Sequence, residues 1–205
     1  MLQPAELNGL NVIVLEPENL LIFTPTGVNA DAIHSKICSK QGSYWVIGTN
    51  SITWADEATT RIPVKWMEYR RALVVRNPYT RLLNLLEEYN QERDDLAAPV
   101  DLATFSNDIG RLNWNYAETI NQWAASVQPY EIIRYESLSK DIKRVTGRAC
   151  RIALSDYGDW LQRYSRLNPD LLIYLYRYFS EDLIRYGYND IAITPTRARL
   201  LGGKQ

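Results

Sequence analysis

The stretch that most constrains this chain is Ala72-Leu73-Val74-Val75, an uninterrupted apolar run that stops at Arg76-Asn77-Pro78. A strand that is apolar at every position has no face for water, so it belongs in a parallel sheet covered on both sides. Parallel neighbours need crossover connections, usually helical. The residues after Pro78 supply one, because Leu82, Leu85, Leu86 and Tyr89 fall on one helical stripe. The run therefore predicts an α/β fold with a mostly parallel central sheet flanked by helices.

The rest of the chain fits that layout. Leu10–Leu15 and Leu20–Thr24 read as short strands joined by the turn Glu16-Pro17-Glu18-Asn19. Pro25-Thr26-Gly27 follows, then a helical pattern over 29–39 in which Ala30, Ile33 and Ile37 share a face. Tyr44–Ile47 reads as a strand, 92–105 as a polar loop, and 106–127 as one long helix with Ile109, Leu112, Tyr116, Ile120, Trp123 and Val127 at helical spacing. Tyr130–Tyr135 is the last clear strand. Asn168 as N-cap, Pro169 at the first helical position and Gly187 past the end frame a final helix. Residues 1–189 are expected to form a single domain, with 190–205 as a tail.

Composition excludes several functional classes. Of 205 residues, 46% are hydrophobic and 23% charged, which rules out global disorder. A net charge of −1 argues against nucleic acid as the partner, since phosphate neutralisation calls for a basic protein. No apolar run approaches the roughly 18 residues of a membrane span. The first residues lack the basic-then-apolar pattern of a secretory leader, so the expected location is cytoplasmic. Two cysteines, Cys38 and Cys150, and one histidine, His34, are too few for a disulfide scaffold or a histidine-rich metal site, so no metal is expected. Aromatic usage is skewed to 14 Tyr and 6 Trp against 3 Phe, side chains that join an apolar face to a hydrogen-bonding tip. Such rings suit sugar- and base-binding clefts, and they serve equally as core.

Two strand-to-helix junctions carry candidate chemistry. In the first, Leu21–Ala30, a glycine-containing turn ahead of a helix exposes backbone N–H groups of Thr26, Gly27, Val28, Asn29 and Ala30, an arrangement suited to an anion. In the second, Leu73–Asn84, Arg76 sits at the carboxyl end of a strand and the Asn84 amide lies about two turns into the helix. An arginine fork with added donors suits a phosphate, and an arginine paired with a carboxylate would look the same in sequence.

Together these junctions resemble the sulfotransferase superfamily, in particular its carbohydrate (Golgi-type) branch. That family has a Pro-Lys-x-x-x-Thr/Ser loop for the 5′-phosphosulfate of its donor and an Arg-Asp/Asn-Pro-x-x-Arg-Leu-x-Ser motif for the 3′-phosphate. Arg76-Asn77-Pro78-Tyr79-Thr80-Arg81-Leu82-Leu83-Asn84 is similar to the second motif, with Arg76 on its arginine and Asn84 on its serine. Downstream, Arg134-Tyr135-Glu136-Ser137-Leu138 looks like the family's Tyr-Glu-x-Leu strand end. The segment Tyr178–Tyr188, with Asp182 and Gly187-Tyr188, looks like its closing helix. The resemblance runs in matching order from about residue 20 to 188. In the first loop Pro25 keeps the family's proline, Thr26 stands where the lysine does, and Ala30 and Asp31 replace hydroxyl residues.

The resemblance implies a P-loop, nucleotide-kinase-like sulfotransferase fold. It also implies 3′-phosphoadenosine 5′-phosphosulfate as cosubstrate and a hydroxyl acceptor, with a glycan as one candidate. Thr26, Gly27, Val28, Asn29, Ala30, Arg76 and Asn84 would hold the nucleotide, and Asp56, Glu57 or His34 would take the acceptor proton. The alternative is a catalytically impaired nucleotide-binding or interaction protein that keeps the fold. A phosphotransferase of the Walker type is disfavoured, since no Gly-x-x-x-x-Gly-Lys-Ser/Thr occurs in the chain.

Overall fold

The computed structural model describes residues 10–28, 33, 37, 44–47, 64–92, 98–108, 119–149 and 159–188. The chain divides into two compact units, one made of 1–76 with 122–154 and the other of 77–121 with 155–205.

The first unit holds a five-stranded sheet in the order β3-β1-β2-β4-β5. Strands β1 (Leu10–Leu15) and β2 (Leu20–Pro25) form an antiparallel hairpin, with Leu15 opposite Leu20 and Leu10 opposite Pro25. Between them Glu16–Glu18 makes one 3₁₀ turn, closed by Asn19 in the left-handed region (φ 47°), which asparagine tolerates better than most residues. Strand β3 (Tyr44–Ile47) pairs antiparallel on the far side of β1. Strands β4 (Arg70–Val75) and β5 (Glu131–Arg134) continue from β2 in parallel, with Phe23 beside Leu73 and Val75 beside Arg134. Four of the five strands therefore run one way and β1 alone runs against them. The expected α/β class with a mostly parallel sheet is the one found.

Alternation along the strands builds the core of this unit. Ile13, Leu15, Leu20, Ile22, Ala72, Val74 and Ile133 cluster with Val28, Ile33 and Ile37, the last two helical as the spacing predicts. Leu138, Ile142 and Val145 of helix α4 (Leu138–Thr146) join them at i, i+4, i+7. Burying each such side chain contributes about 1.5–3 kcal/mol. The other strand faces, among them Val12, Leu21, Phe23, Leu73 and Val75, are buried as well, as an all-apolar strand requires. Helix α4 ends at Gly147, whose φ of 74° and N–H bond to the Lys143 carbonyl form a left-handed cap.

Among the described residues the second unit contributes helices: α1 (Pro78–Glu92), α2 (Leu102–Asp108), the first two residues of α3 (Ile120–Val127), α5 (Trp160–Ser165), α6 (Pro169–Tyr178) and α7 (Ser180–Arg185). Asn77 opens α1 with its side-chain oxygen accepting from the Tyr79 N–H at 3.0 Å. The Tyr79 ring then anchors an aromatic cluster. It stacks on Trp160 (centroids 5.5 Å apart, 12° between planes) and meets Tyr164 and Phe179 edge-on. The Tyr164 hydroxyl donates to the Tyr79 carbonyl at 2.9 Å, and burial pushes that phenol well above its ordinary range.

Three expected elements are corrected. The loop expected over 92–105 contains the start of α2, because Asp101 accepts from the Thr104 N–H at 2.7 Å and so caps a helix from Leu102. The single helix expected over 106–127 is not continuous: α3 begins afresh at Ile120, after non-helical Thr119. The cause is Asp182, whose carboxylate accepts from the N–H groups of both Ile120 (2.9 Å) and Asn121 (2.8 Å). An uninterrupted helix would have bonded those groups to carbonyls four residues back. The framed final helix has the expected ends, Asn168 accepting from the Asp170 N–H and Gly187 at φ 71°, but it breaks at Phe179 into α6 and α7. Among the described residues, no helix is long and apolar enough to cross a membrane.

Candidate functional site

The candidate site of the first unit lies where three adjacent parallel strands end. The β2–β4 and β4–β5 registers bring the residues that follow Pro25, Val75 and Arg134 to one edge of the sheet. Ligands of open α/β sheets bind at such carboxyl ends. The residues delivered there are Thr26, Gly27 and Val28 from β2, Arg76 from β4 and Tyr135 from β5.

The loop after β2 is tight. Gly27 adopts φ 81°, a conformation that costs glycine little and a residue with a Cβ much more. Gly27 and Val28 are buried and Thr26 is half-buried, so Val28 pins the loop into the core while Thr26 reaches its surface. Arg76 crosses to this loop. It is 1% exposed, and its Nη1 donates to the Gly27 carbonyl at 2.8 Å. Its guanidinium carbon lies 4.3 Å from the centre of the Tyr135 ring, inside cation–π range. The two junctions singled out in the sequence thus meet through Arg76 and Gly27.

Chemically, the site offers a buried guanidinium fork beside a turn with a left-handed glycine. Guanidinium groups bind oxyanions through paired, charge-assisted hydrogen bonds that gain strength away from water. These residues fit a phosphate or sulfate group. The loop itself brings no cation: Thr26 contributes a neutral hydroxyl.

The remaining candidates are distributed as follows. Asn84 belongs to the second unit, is buried on α1, and donates through Nδ2 to Glu88 Oε1 one turn on. Its face of α1 is thus shared with Glu88, as its spacing predicts. Asn29, Ala30, His34, Asp56 and Glu57 lie outside the described residues.

Two residues with structural consequence have roles that the sequence alone does not assign. Tyr135 stands in the segment likened to a Tyr-Glu-x-Leu strand end, which gives it no partner, and its place beside Arg76 follows from the β4–β5 register. Asp182 stands in the segment likened to a closing helix, which says nothing of what its carboxylate meets. It is fully buried, and burial raises its carboxyl above the ordinary range against the pull of the Ile120 and Asn121 N–H groups and the Arg81 charge. Searches against protein-family models, curated proteins and solved structures returned no match to this chain.

Proposed function

We propose that this protein is a sulfotransferase that uses 3′-phosphoadenosine 5′-phosphosulfate as donor and a hydroxyl group, such as that of a carbohydrate, as acceptor. The observation that carries the reading is Arg76: a buried guanidinium at the end of one parallel strand, hydrogen-bonded to the turn that ends the next. The order of motifs from residue 20 to 188 supports the choice of donor.

In this reading the acceptor oxygen forms a bond to sulfur as the bond from sulfur to the bridging oxygen of the 5′-phosphate breaks. The acceptor proton passes to a base, for which Asp56, Glu57 and His34 are the candidates. The product nucleotide, 3′-phosphoadenosine 5′-phosphate, leaves with the released charge. Arg76 binds a phosphate of the nucleotide beside the turn at Thr26–Val28, to which it is hydrogen-bonded.

Thr26 shapes the expected kinetics and favours a second reading, a nucleotide-binding protein with little turnover. A hydroxyl can donate to a phosphate but cannot neutralise charge on the bridging oxygen. Loss of one preorganised electrostatic contact commonly costs about 10²–10³ in rate. Thr26→Lys is therefore expected to raise turnover by about 10²-fold while changing nucleotide affinity much less, because that charge develops mainly in the transition state. The assay follows labelled sulfate from donor to a glycan panel, alongside calorimetric titration with 3′-phosphoadenosine 5′-phosphate. Binding without turnover in either form would favour the second reading. No nucleotide binding at millimolar concentration would overturn both.

A further inference from the structure

A guanidinium recognises an oxyanion only in its own plane, because its N–H groups all lie in that plane. Whatever sets the plane therefore sets the direction from which a phosphate or sulfate is read. A single hydrogen bond leaves the plane free to turn about that bond, and a second restraint from a different direction removes the freedom.

Both restraints are present around Arg76. The Gly27 carbonyl accepts from Nη1 at 2.8 Å, and the left-handed φ of Gly27 shapes the turn from which that carbonyl projects. The Tyr135 ring sits 4.3 Å from the guanidinium carbon. Tyr135 is itself 4% exposed and shares the core cluster with Ile133 and Leu138, so the ring is held by packing and is a firm support. Its position follows from strand pairing: Val75 is level with Arg134, so the next residue of each strand, Arg76 and Tyr135, emerges side by side.

We propose that Tyr135 is a positioning residue for oxyanion recognition, its ring face and the Gly27 carbonyl together fixing the plane of the Arg76 fork. The inference rests on the proposed function for oxyanion binding at Arg76 and for the identity of the oxyanion. Any tetrahedral oxyanion presented to Arg76 is subject to the same restraint.

The test changes the electron density of the ring and leaves its shape alone. Tyr135→Phe keeps the face, and fluorinated phenylalanines at position 135 weaken its negative potential stepwise at nearly constant size. Each variant is titrated with inorganic sulfate and with 3′-phosphoadenosine 5′-phosphate, and thermal melts confirm folding. Tyr135→Phe serves as the shape-matched reference from which the effect of each added fluorine is read. The trifluorinated variant is expected to lose about three- to tenfold in affinity for both, the scale of a desolvated cation–π contact. Affinity that stays flat across the series overturns the positioning role, since a purely structural ring would not respond to fluorine. If wild type binds sulfate with the fluorine trend but ignores the nucleotide, the sulfotransferase reading falls and the positioning role stands. If wild type binds neither probe, both fall.

Discussion

Strand β4 carries a buried arginine at each end, and the two are held in different ways. Arg71, at the amino end, is 7% exposed and donates through Nη1 to the Val127 carbonyl (3.0 Å) and through Nη2 to the Met67 carbonyl (3.2 Å). Val127 closes α3, where carbonyls lack helical partners and the helix end is negative, and Gln128 at φ 50° ends that helix. Arg71 is thus a helix terminator fastened to the sheet. Arg76, at the carboxyl end, is 1% exposed and has a carbonyl on one side and a ring face on the other. Burial alone cannot distinguish the two. What separates them is the end of the strand they occupy and the Tyr135 ring face that lies beside Arg76.

That difference predicts opposite phenotypes. Arg71→Ala removes two charge-assisted bonds to main-chain carbonyls, and each is worth about 1.5–3 kcal/mol. The expected loss is about 3–6 kcal/mol of unfolding free energy in urea. Oxyanion affinity should be retained by whatever fraction stays folded. Arg76→Ala should weaken binding of 3′-phosphoadenosine 5′-phosphate by about 1.5–3 kcal/mol, with a stability loss smaller than that of Arg71→Ala. Calorimetric titration and urea melts on both variants decide the matter. If Arg76→Ala unfolds the protein as readily as Arg71→Ala and leaves binding intact, both arginines are structural and the contrast is lost.

Much of this arrangement is legible in the sequence where its cause is local. The run Ala72–Val75 announces a buried strand because every residue in it is apolar, and Asn168-Pro169 announces a helix start because capping acts within three residues. The break before Ile120 was illegible because its cause lies 62 residues away, in the carboxylate of Asp182. The start of α2 at Leu102 did leave a signal, Asp101 three residues before Thr104, but the helix is only seven residues long and its apolar period is weak. In the site, Gly27 and Arg76 were each conspicuous, yet their contact spans 49 residues and depends on β2 and β4 being neighbours. Strand order is a tertiary property, and so the support given by Tyr135 followed only from the sheet.

The smallest expected effect extends the comparison to a third buried arginine, Arg81, which lies in the second unit and acts on a carboxylate. Burial raises the Asp182 carboxyl above the ordinary carboxylate value. The N–H groups of Ile120 and Asn121 and the charge of Arg81 oppose the rise, and Glu181 adds to it. The folded chain therefore holds this proton more tightly than the unfolded chain does. The resulting stability is fully present below the unfolded value and is lost as pH rises through the folded one. Asp141 in the first unit has the opposite sign. Burial disfavours its charge, but the Arg134 N–H, the Ser137 hydroxyl and Arg144 outweigh that and hold its carboxyl below the ordinary value. Its contribution is present above the unfolded value and is lost as pH falls through the folded one. Urea unfolding between about pH 3 and 7, a range that brackets ordinary carboxylate values, reads both. Measured as wild-type stability minus variant stability, the Asp182→Asn difference should shrink as pH rises. The Asp141→Asn difference should grow over the same range. Slopes of the same sign for both would mean that the arginine, and not the burial, governs Asp182, making it the carboxylate half of an ordinary ion pair.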